Sequence, residues 1–241
     1  DPTNLASHLP LSIGYLPQYA AFHEGVTVRE ALDFGLSLRM PISVKQQQRQ
    51  EWLASIVQLT GIDQLLDQSV DTLSGGQKRR LALAEELLGD PQFLFLDELT
   101  SGLDPNSELE MMQWLRNLVD QTGKTIVLVT HAVGNLNHCD EVLFLCKGNL
   151  LYAGPPRQLI NHFGLSTIEE LYASAESFEP RPIRDTIAQP IEPAALQTAK
   201  PPAGIFQLAT LLKRQFLLFA RDKGQVFLHL LLLFSFPFLV A

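Results

Sequence analysis

The chain has 241 residues, a hydrophobic content of 46% and a formal charge of −8, enough for one large domain or two small ones with a real core. The acidic balance argues against a general nucleic-acid binder. It does not exclude a nucleotide, because phosphate sites can be built from backbone N–H groups and helix ends. Cys139 and Cys146 sit in neither a CxxC nor a metal-ligand pattern and read as reduced thiols of a cytosolic domain. The start, DPTNLASHLP, has no basic n-region and no apolar h-region, so no signal peptide is visible. It also lacks an initiator Met, and the chain is expected to begin inside a longer protein.

In chain order, Gln18 comes first, after the short apolar run of IGYLPQ. Residues from about Ala20 to Thr72 read as mostly helical, a lateral insertion; within it Trp52, Leu53, Ile56, Val57 and Leu59 mark an amphipathic helix over Glu51–Thr60 that stops at Gly61. DTLSGGQKRR, Asp71 to Arg80, follows. Its Ser74-Gly75-Gly76-Gln77 has the form of a capping box, in which Ser74 accepts from the Gln77 backbone N–H. Adjacent glycines are costly to order, and here they leave bare a helix end whose free N–H donors favour an anion. By its helix signals alone the stretch reads more readily as an ordinary capped helix.

Next come three apolar runs. FLFL (Phe93–Leu96) leads into Asp97-Glu98, TIVLVT (Thr125–Thr130) leads into His131, and EVLFLC (Glu141–Cys146) leads through KGN into LLYAG as a hairpin. Continuous apolar runs suit strands buried on both faces, as in a parallel sheet. Between the first two, Leu109, Met112, Leu115, Leu118 and Val119 mark a helix over Ser107–Gln121 that stops at Gly123. Alternating strands and helices predict an α/β domain. Ligands of open α/β sheets bind beyond the carboxyl ends of the strands, where Asp97 could hold Mg²⁺ and Glu98 could polarise an attacking water. Alone, the pair is as well explained as an acidic helix start, and a lone His at a strand end is more often structural than a phosphate ligand.

TGKT (Thr122–Thr125) imitates the tail of a P-loop, but Leu118 stands where that motif needs glycine, a helix precedes it and a strand follows. No stretch of the chain fits GxxxxGK[ST]. From Ser174 to Pro202 periodicity fails, and six of the fifteen prolines fall there, which reads as a linker. A helix with Lys213 and Arg214 in an apolar surround resumes over Ile205–Ala220. Arg221 and Lys223 then precede VFLHLLLLFSFPFLVA (Val226–Ala241), which reads as the start of a membrane helix. A full span needs roughly 20 apolar residues, and basic residues beside one favour the cytoplasmic side.

The order Gln18, LSGGQ, FLFLDE, SGLD, LVTH resembles the ATPase domain of ATP-binding cassette (ABC) transporters over about Ile13–Gly164. Each piece is weak, but the five in this order are specific. GVTVREALDFGLSLRMP and KGNLLYAGPP followed by HFGL resemble the G-type (White-like, ABC-2 exporter) half transporters. The resemblance implies an α/β, P-loop NTPase-like ABC ATPase fold, incomplete at its N-terminus. Its expected parts are the end of the N-terminal core through the Q-loop (1–19), a helical subdomain (20–72), the remaining core (73–164), a linker (165–204), an amphipathic connecting helix (205–223) and the start of the first transmembrane helix (224–241).

Carried over residue by residue, the resemblance makes Gln18 the Q-loop glutamine that touches Mg²⁺, and Leu73, Ser74, Gly75, Gly76 and Gln77 the signature. Asp97 is then the Walker B aspartate and Mg²⁺ ligand, Glu98 the catalytic glutamate, Ser101 to Asp104 the D-loop, and His131 the switch histidine. It further implies ATP and Mg²⁺ as cofactors, a second ATPase domain as dimer partner, a homodimer or heterodimer of half transporters, and an own or partner transmembrane domain. The protein would be a multi-pass membrane protein with its ATPase on the cytoplasmic side. Leu99 departs from the family's usual proline; it removes no required chemical group, so activity should survive. The adenine-stacking aromatic and the P-loop would precede Asp1, which makes the chain resemble a fragment. Two other readings remain. One is a soluble ABC-type ATPase of DNA repair or translation, disfavoured by the C-terminal apolar run and the lack of a basic face; the other is a non-catalytic membrane-associated remnant.

Overall fold

The computed structural model describes residues 13–18, 21–23, 25–40, 44–131, 133–174 and 203–240, with only the backbone at 169, 172, 173 and 236–240. The elements run β1 (Ile13–Leu16), α1 (Val28–Arg39), α2 (Gln46–Thr60), α3 (Gly75–Leu87), β2 (Phe93–Asp97), α4 (Pro105–Thr122) and β3 (Thr125–Val129). After them come β4 (Val142–Cys146), β5 (Asn149–Gly154), α5 (Pro156–Phe163), α6 (Ile168–Ser174), α7 (Gly204–Arg221) and α8 (Lys223–Val240). They form two compact units. One gathers β1, α1 to α3, β2, Thr125–Val127 of β3, α7 and α8; the other gathers α4, the end of β3, the β4–β5 hairpin, α5 and α6.

In the first unit β1 and β2 pair in parallel, Ile13 beside Phe93 and Leu16 beside Leu96, in the sheet order β1-β2-β3. Leu16, Leu94 and Leu96 are buried beneath this sheet. Gly14 lets the layers close: a Cβ there would lie 2.8 Å from Leu94 Cδ2, 3.2 Å from Pro91 Cγ and 3.5 Å from Glu86 Oε2 of α3. The continuous apolar runs predict strands buried on both faces, and here the structure differs. Ile13, Tyr15, Phe93 and Phe95, which alternate with the buried leucines, are 38–55% exposed. Hydrophobicity records what a face can bury, and among the described residues one face of this sheet is covered and the other is open.

Within residues 20–72 the described residues form α1, α2 and two short 3₁₀ turns. Thr27 caps α1 in a capping box: Glu30 N–H donates to Thr27 Oγ1 at 3.3 Å and Thr27 N–H to Glu30 Oε2 at 2.9 Å. Trp52 of α2 donates from Nε1 to the Leu88 carbonyl at 3.2 Å, tying α2 to the end of α3. α7 runs antiparallel along α1. Gln207 Nε2 donates to the Leu38 carbonyl at 3.3 Å, and fourteen residues on the Arg221 guanidinium donates to both Glu30 oxygens, at 2.7 and 2.8 Å. Among the described residues no helix is long and apolar enough to cross a membrane. The transmembrane start expected over 224–241 is therefore not supported; those residues continue as α8, whose first turn carries Lys223, Gly224 and Gln225.

In the second unit Asp104 caps α4 and Pro105 fills its first turn, where a missing N–H costs nothing. Gly123, at φ +67°, stops the helix in the left-handed conformation, as Gly61 does for α2. Thus Gly123 belongs to a helix end and not to a phosphate loop. β4 and β5 form the expected antiparallel hairpin. Its turn residues Lys147 and Gly148 both have positive φ, 47° and 79°, as a two-residue turn matched to strand twist requires. Tyr152, Leu159 and Leu171 form its buried core, with Phe144, Phe163, Leu165 and Ile168 packed around them. Residues 165–174, expected to begin the linker, thus hold a folded helix, α6, anchored by Leu171. Residues 175–202 of the expected linker lie outside the described residues.

Candidate functional site

The first unit carries two groups of the expected site residues. Leu16 lies beside Leu96 in parallel register, so Gln18 and Asp97 both leave the sheet at one edge, the carboxyl ends of β1 and β2. That edge is where open α/β sheets take ligands. The second group is the head of α3. Leu73 is buried at 6% exposure and anchors the approach. Ser74 caps the helix as its spacing predicts: its hydroxyl accepts the Gln77 N–H at 3.3 Å, and Gln77 Oε1 accepts the Ser74 N–H at 2.8 Å. A Cβ added to Gly75 or Gly76 would meet nothing within 4 Å. Among the described residues, crowding therefore does not require those glycines, and nothing covers the positive end of the helix macrodipole.

The second unit holds Glu98, Ser101, Asp104 and His131. The Glu98 N–H donates to the Val129 carbonyl at 2.9 Å, which fixes the residue after β2 against the end of β3. His131 Nε2 lies 2.7 Å from Glu98 Oε1, the histidine side chain 81% exposed and the glutamate 19%. A sheltered carboxylate thus faces outward against a solvent-facing imidazole. Glu98 also has φ +49°, a conformation that costs a non-glycine residue about 1–2 kcal/mol and that clusters at functional sites. The sequence carries no signal for this strain.

The loop beyond is built from its own hydrogen bonds. Ser101 N–H donates to the Glu98 carbonyl at 3.0 Å. Asp104 accepts from the N–H groups of Asn106 and Ser107 and from Ser107 Oγ, and these bonds, the Ser107 hydroxyl foremost, hold its carboxyl below the ordinary range. Asp104 is therefore a helix cap within this chain, a role that the Asp-Pro step foreshadows. The Thr100 and Thr130 hydroxyls lie 3.2 Å apart and tie the loop after Glu98 to the residue before His131; no sequence pattern marks them. Leu99, in place of the usual proline, is buried at 4% exposure and acts as packing. Among the described residues no group of three or more His, Cys, Asp or Glu could by itself hold a metal ion, and both cysteines are free thiols.

Comparison with known proteins gives the family. The family model for ABC transporters matches residues 3–101. An ABC transporter ATP-binding/permease protein of Mycobacterium tuberculosis is 35% identical over 230 residues, which cover 91% of this chain and 26% of that protein. The Nod factor export ATP-binding protein I of a Rhizobium species is 38% identical over 70% of this chain and 55% of its own length. The broad substrate specificity ATP-binding cassette transporter of Bos taurus is 32% identical over 63% of this chain and 24% of its own length. Among solved structures, CbiO1 of Clostridium perfringens, part of an ABC transporter complex, superposes with a TM-score of 0.59 at 27% identity, over 69% of this chain and 65% of that one. The chain spans about a quarter of the length of the mycobacterial relative. With its α/β build, its LSGGQ helix head and its Asp97-Glu98 strand end, the chain belongs to the ABC transporter family, as part of its ATPase domain.

Proposed function

We propose that this chain is part of the ATP-hydrolysing machinery of an ABC exporter, working as a dimer of ATPase domains that drive transmembrane helices. The observation that carries the reading is the contact of Glu98 with His131 at 2.7 Å. Glu98, held by its backbone bond to Val129, orients and activates the attacking water. His131, exposed beside it, holds the γ-phosphate and that water in place. Catalysis is then mainly positioning and charge stabilisation. The uncovered head of α3, from Leu73 to Gln77, offers N–H donors to the phosphates of a nucleotide bound mainly on a second ATPase domain. Ser101 and Asp104 lie on the loop that faces this partner.

Asp97 and Gln18 leave the same sheet edge and present a carboxylate and an amide oxygen. Such hard donors suit Mg²⁺, which takes one or two protein oxygens together with phosphates and waters. When bound, the ion would neutralise charge on the β- and γ-phosphates. Export and import ATP-binding proteins are both among the relatives, so they support transport in general; the export sense and a cytoplasmic ATPase beside a membrane domain rest on the G-type resemblance of GVTVREALDFGLSLRMP and KGNLLYAGPP. The test is Glu98→Gln in the full-length protein. ATP binding is retained and turnover falls to background; undiminished turnover would refute the role given to Glu98.

A further inference from the structure

Between α1, α3 and α7 lies a cavity of about 160 Å³. Much of its wall is apolar, with Phe22 and Phe34 among the lining residues, yet four ionisable side chains also line it: His23 from the segment after β1, Arg39 from α1, Glu85 from α3 and Arg214 from α7. α7 is fastened at both ends, through Gln207 to the Leu38 carbonyl and through Arg221 to Glu30 and the Gly25 carbonyl. Arg214 lies midway between these fastenings, and its Nε is buried without a hydrogen-bond partner among the described residues. A buried donor in that state is costly, and the cavity gives the guanidinium room to move.

The charges facing Glu85 decide where it can go. Arg39 is already paired with Glu86, the neighbour of Glu85 on α3, at 3.0 Å. α2, packed on α3, brings Arg49, which bonds the Met40 carbonyl and Ser37 Oγ on the α1 side. β1 brings only Tyr15, on the exposed face of the sheet. His23 is held below its ordinary range by burial and by Arg214, so it adds no firm positive charge. Among the described residues, Arg214 is the cation with a buried side-chain N–H still to place.

We propose that Glu85 is a proton-binding site that latches α7. On losing its proton the carboxylate draws the Arg214 guanidinium across the cavity and pulls the middle of α7 onto α3; on regaining it, α7 is held at its two ends alone. Burial pushes the Glu85 carboxyl up from 4.5 to about 7, Arg39 and Arg214 opposing the rise and Glu86 adding to it. The switch therefore works near neutral pH. The sign follows from linkage. With its carboxyl raised, the open arrangement binds more protons than an ordinary glutamate between pH 4.5 and about 7. It therefore loses ground to the closed arrangement as pH rises through that window. If closure restored Glu85 to its ordinary 4.5, it would be favoured by up to about 300-fold above pH 7.

The latch is independent of nucleotide, and so is its test. In the full-length protein with Cys139 and Cys146 replaced by serine, spin labels are placed at Gln58→Cys on α2 and Gln215→Cys on α7, and pulsed dipolar distances are recorded from pH 5.5 to 8.5 without ATP. The shorter distance should gain on the longer by up to about tenfold between about pH 6 and 8, most of it below pH 7, and level off above. Glu85→Gln, close in size and shape, should hold the low-pH distribution throughout. Arg214→Gln, which keeps Glu85 but removes its partner, should do the same. A wild-type distance that ignores pH, or an unchanged shift in either variant, overturns the proposal.

Discussion

Glu30 serves two helices at once, and separating its two roles tests how α7 is held. Its carboxylate accepts the Thr27 N–H that completes the cap of α1 and also receives the Arg221 guanidinium in a two-pronged contact. The side chains of Arg221 and Glu30 remain 42% and 28% exposed. Solvent therefore screens the pair, and its worth sits at the upper end of the surface range, about 1 kcal/mol. The cap is worth about 1 kcal/mol more. Glu30→Gln keeps an acceptor for the cap and removes the charge, so it should cost about 1 kcal/mol, whereas Glu30→Ala should cost about 2. Arg221→Gln also loses the bond to the Gly25 carbonyl at 2.9 Å, but a double-mutant cycle with Glu30→Gln cancels that loss and isolates a coupling of about 1 kcal/mol. Urea unfolding followed by Trp52 fluorescence in a Trp114→Phe background reads the unit concerned, because Trp52 is bonded to the end of α3. The bonds from Arg221 hold the Glu30 carboxyl below its ordinary 4.5. The coupling is thus fully present above that value and vanishes as pH falls through the lower, folded one. A coupling under about 0.3 kcal/mol at neutral pH, or a Glu30→Ala variant no weaker than Glu30→Gln, would refute the reasoning.

Gly14→Ala places a methyl 2.8 Å from Leu94 Cδ2 and should cost about 1–3 kcal/mol by overpacking, read in the same urea experiment. Tyr152→Phe removes the hydroxyl that donates to the Pro155 carbonyl at 2.7 Å and should lower stability by about 1 kcal/mol, seen as a reduced Tm of the unit containing the hairpin. Because the Asp104 carboxyl is held below its ordinary 3.8, the cap of α4 is intact above that value and is lost as pH falls through the lower, folded one. Amide signals of Asn106 and Ser107 should report the loss, and Asp104→Ala should show weakened protection there already at neutral pH.

Much of the framework is legible in the sequence because it is written in local chemistry. Gly61 and Gly123 stop α2 and α4 in the left-handed conformation, and the serine–glutamine spacing at the head of α3 is the capping box it spells. The Lys-Gly step makes the hairpin turn. What the sequence hides is relational. Phe93 and Phe95 look as core-bound as Leu94 and Leu96, and only the placement of neighbouring elements separates a covered face from an open one. The helix α6 was hidden because Leu171 finds its burial against Tyr152 and Leu159, and not in a long periodic run of its own. In the candidate site the identities of Asp97, Glu98 and His131 follow from order and spacing. The 2.7 Å approach of His131 to Glu98, the Thr100–Thr130 contact and the backbone strain at Glu98 lie in the segments that meet at the Glu98–Val129 bond.

That strain sets stability against the role proposed for Glu98 at a single position. With Glu98 at φ +49°, glycine, and to a lesser degree asparagine, would relax the backbone there, while most other replacements, glutamine included, would inherit the cost. A screen for thermal stability alone would therefore favour discarding the carboxylate, whereas the same screen would keep Ser74, whose cap strengthens the fold. If Glu98 has the proposed role, drift without selection for turnover should erase it before it erases the head of α3.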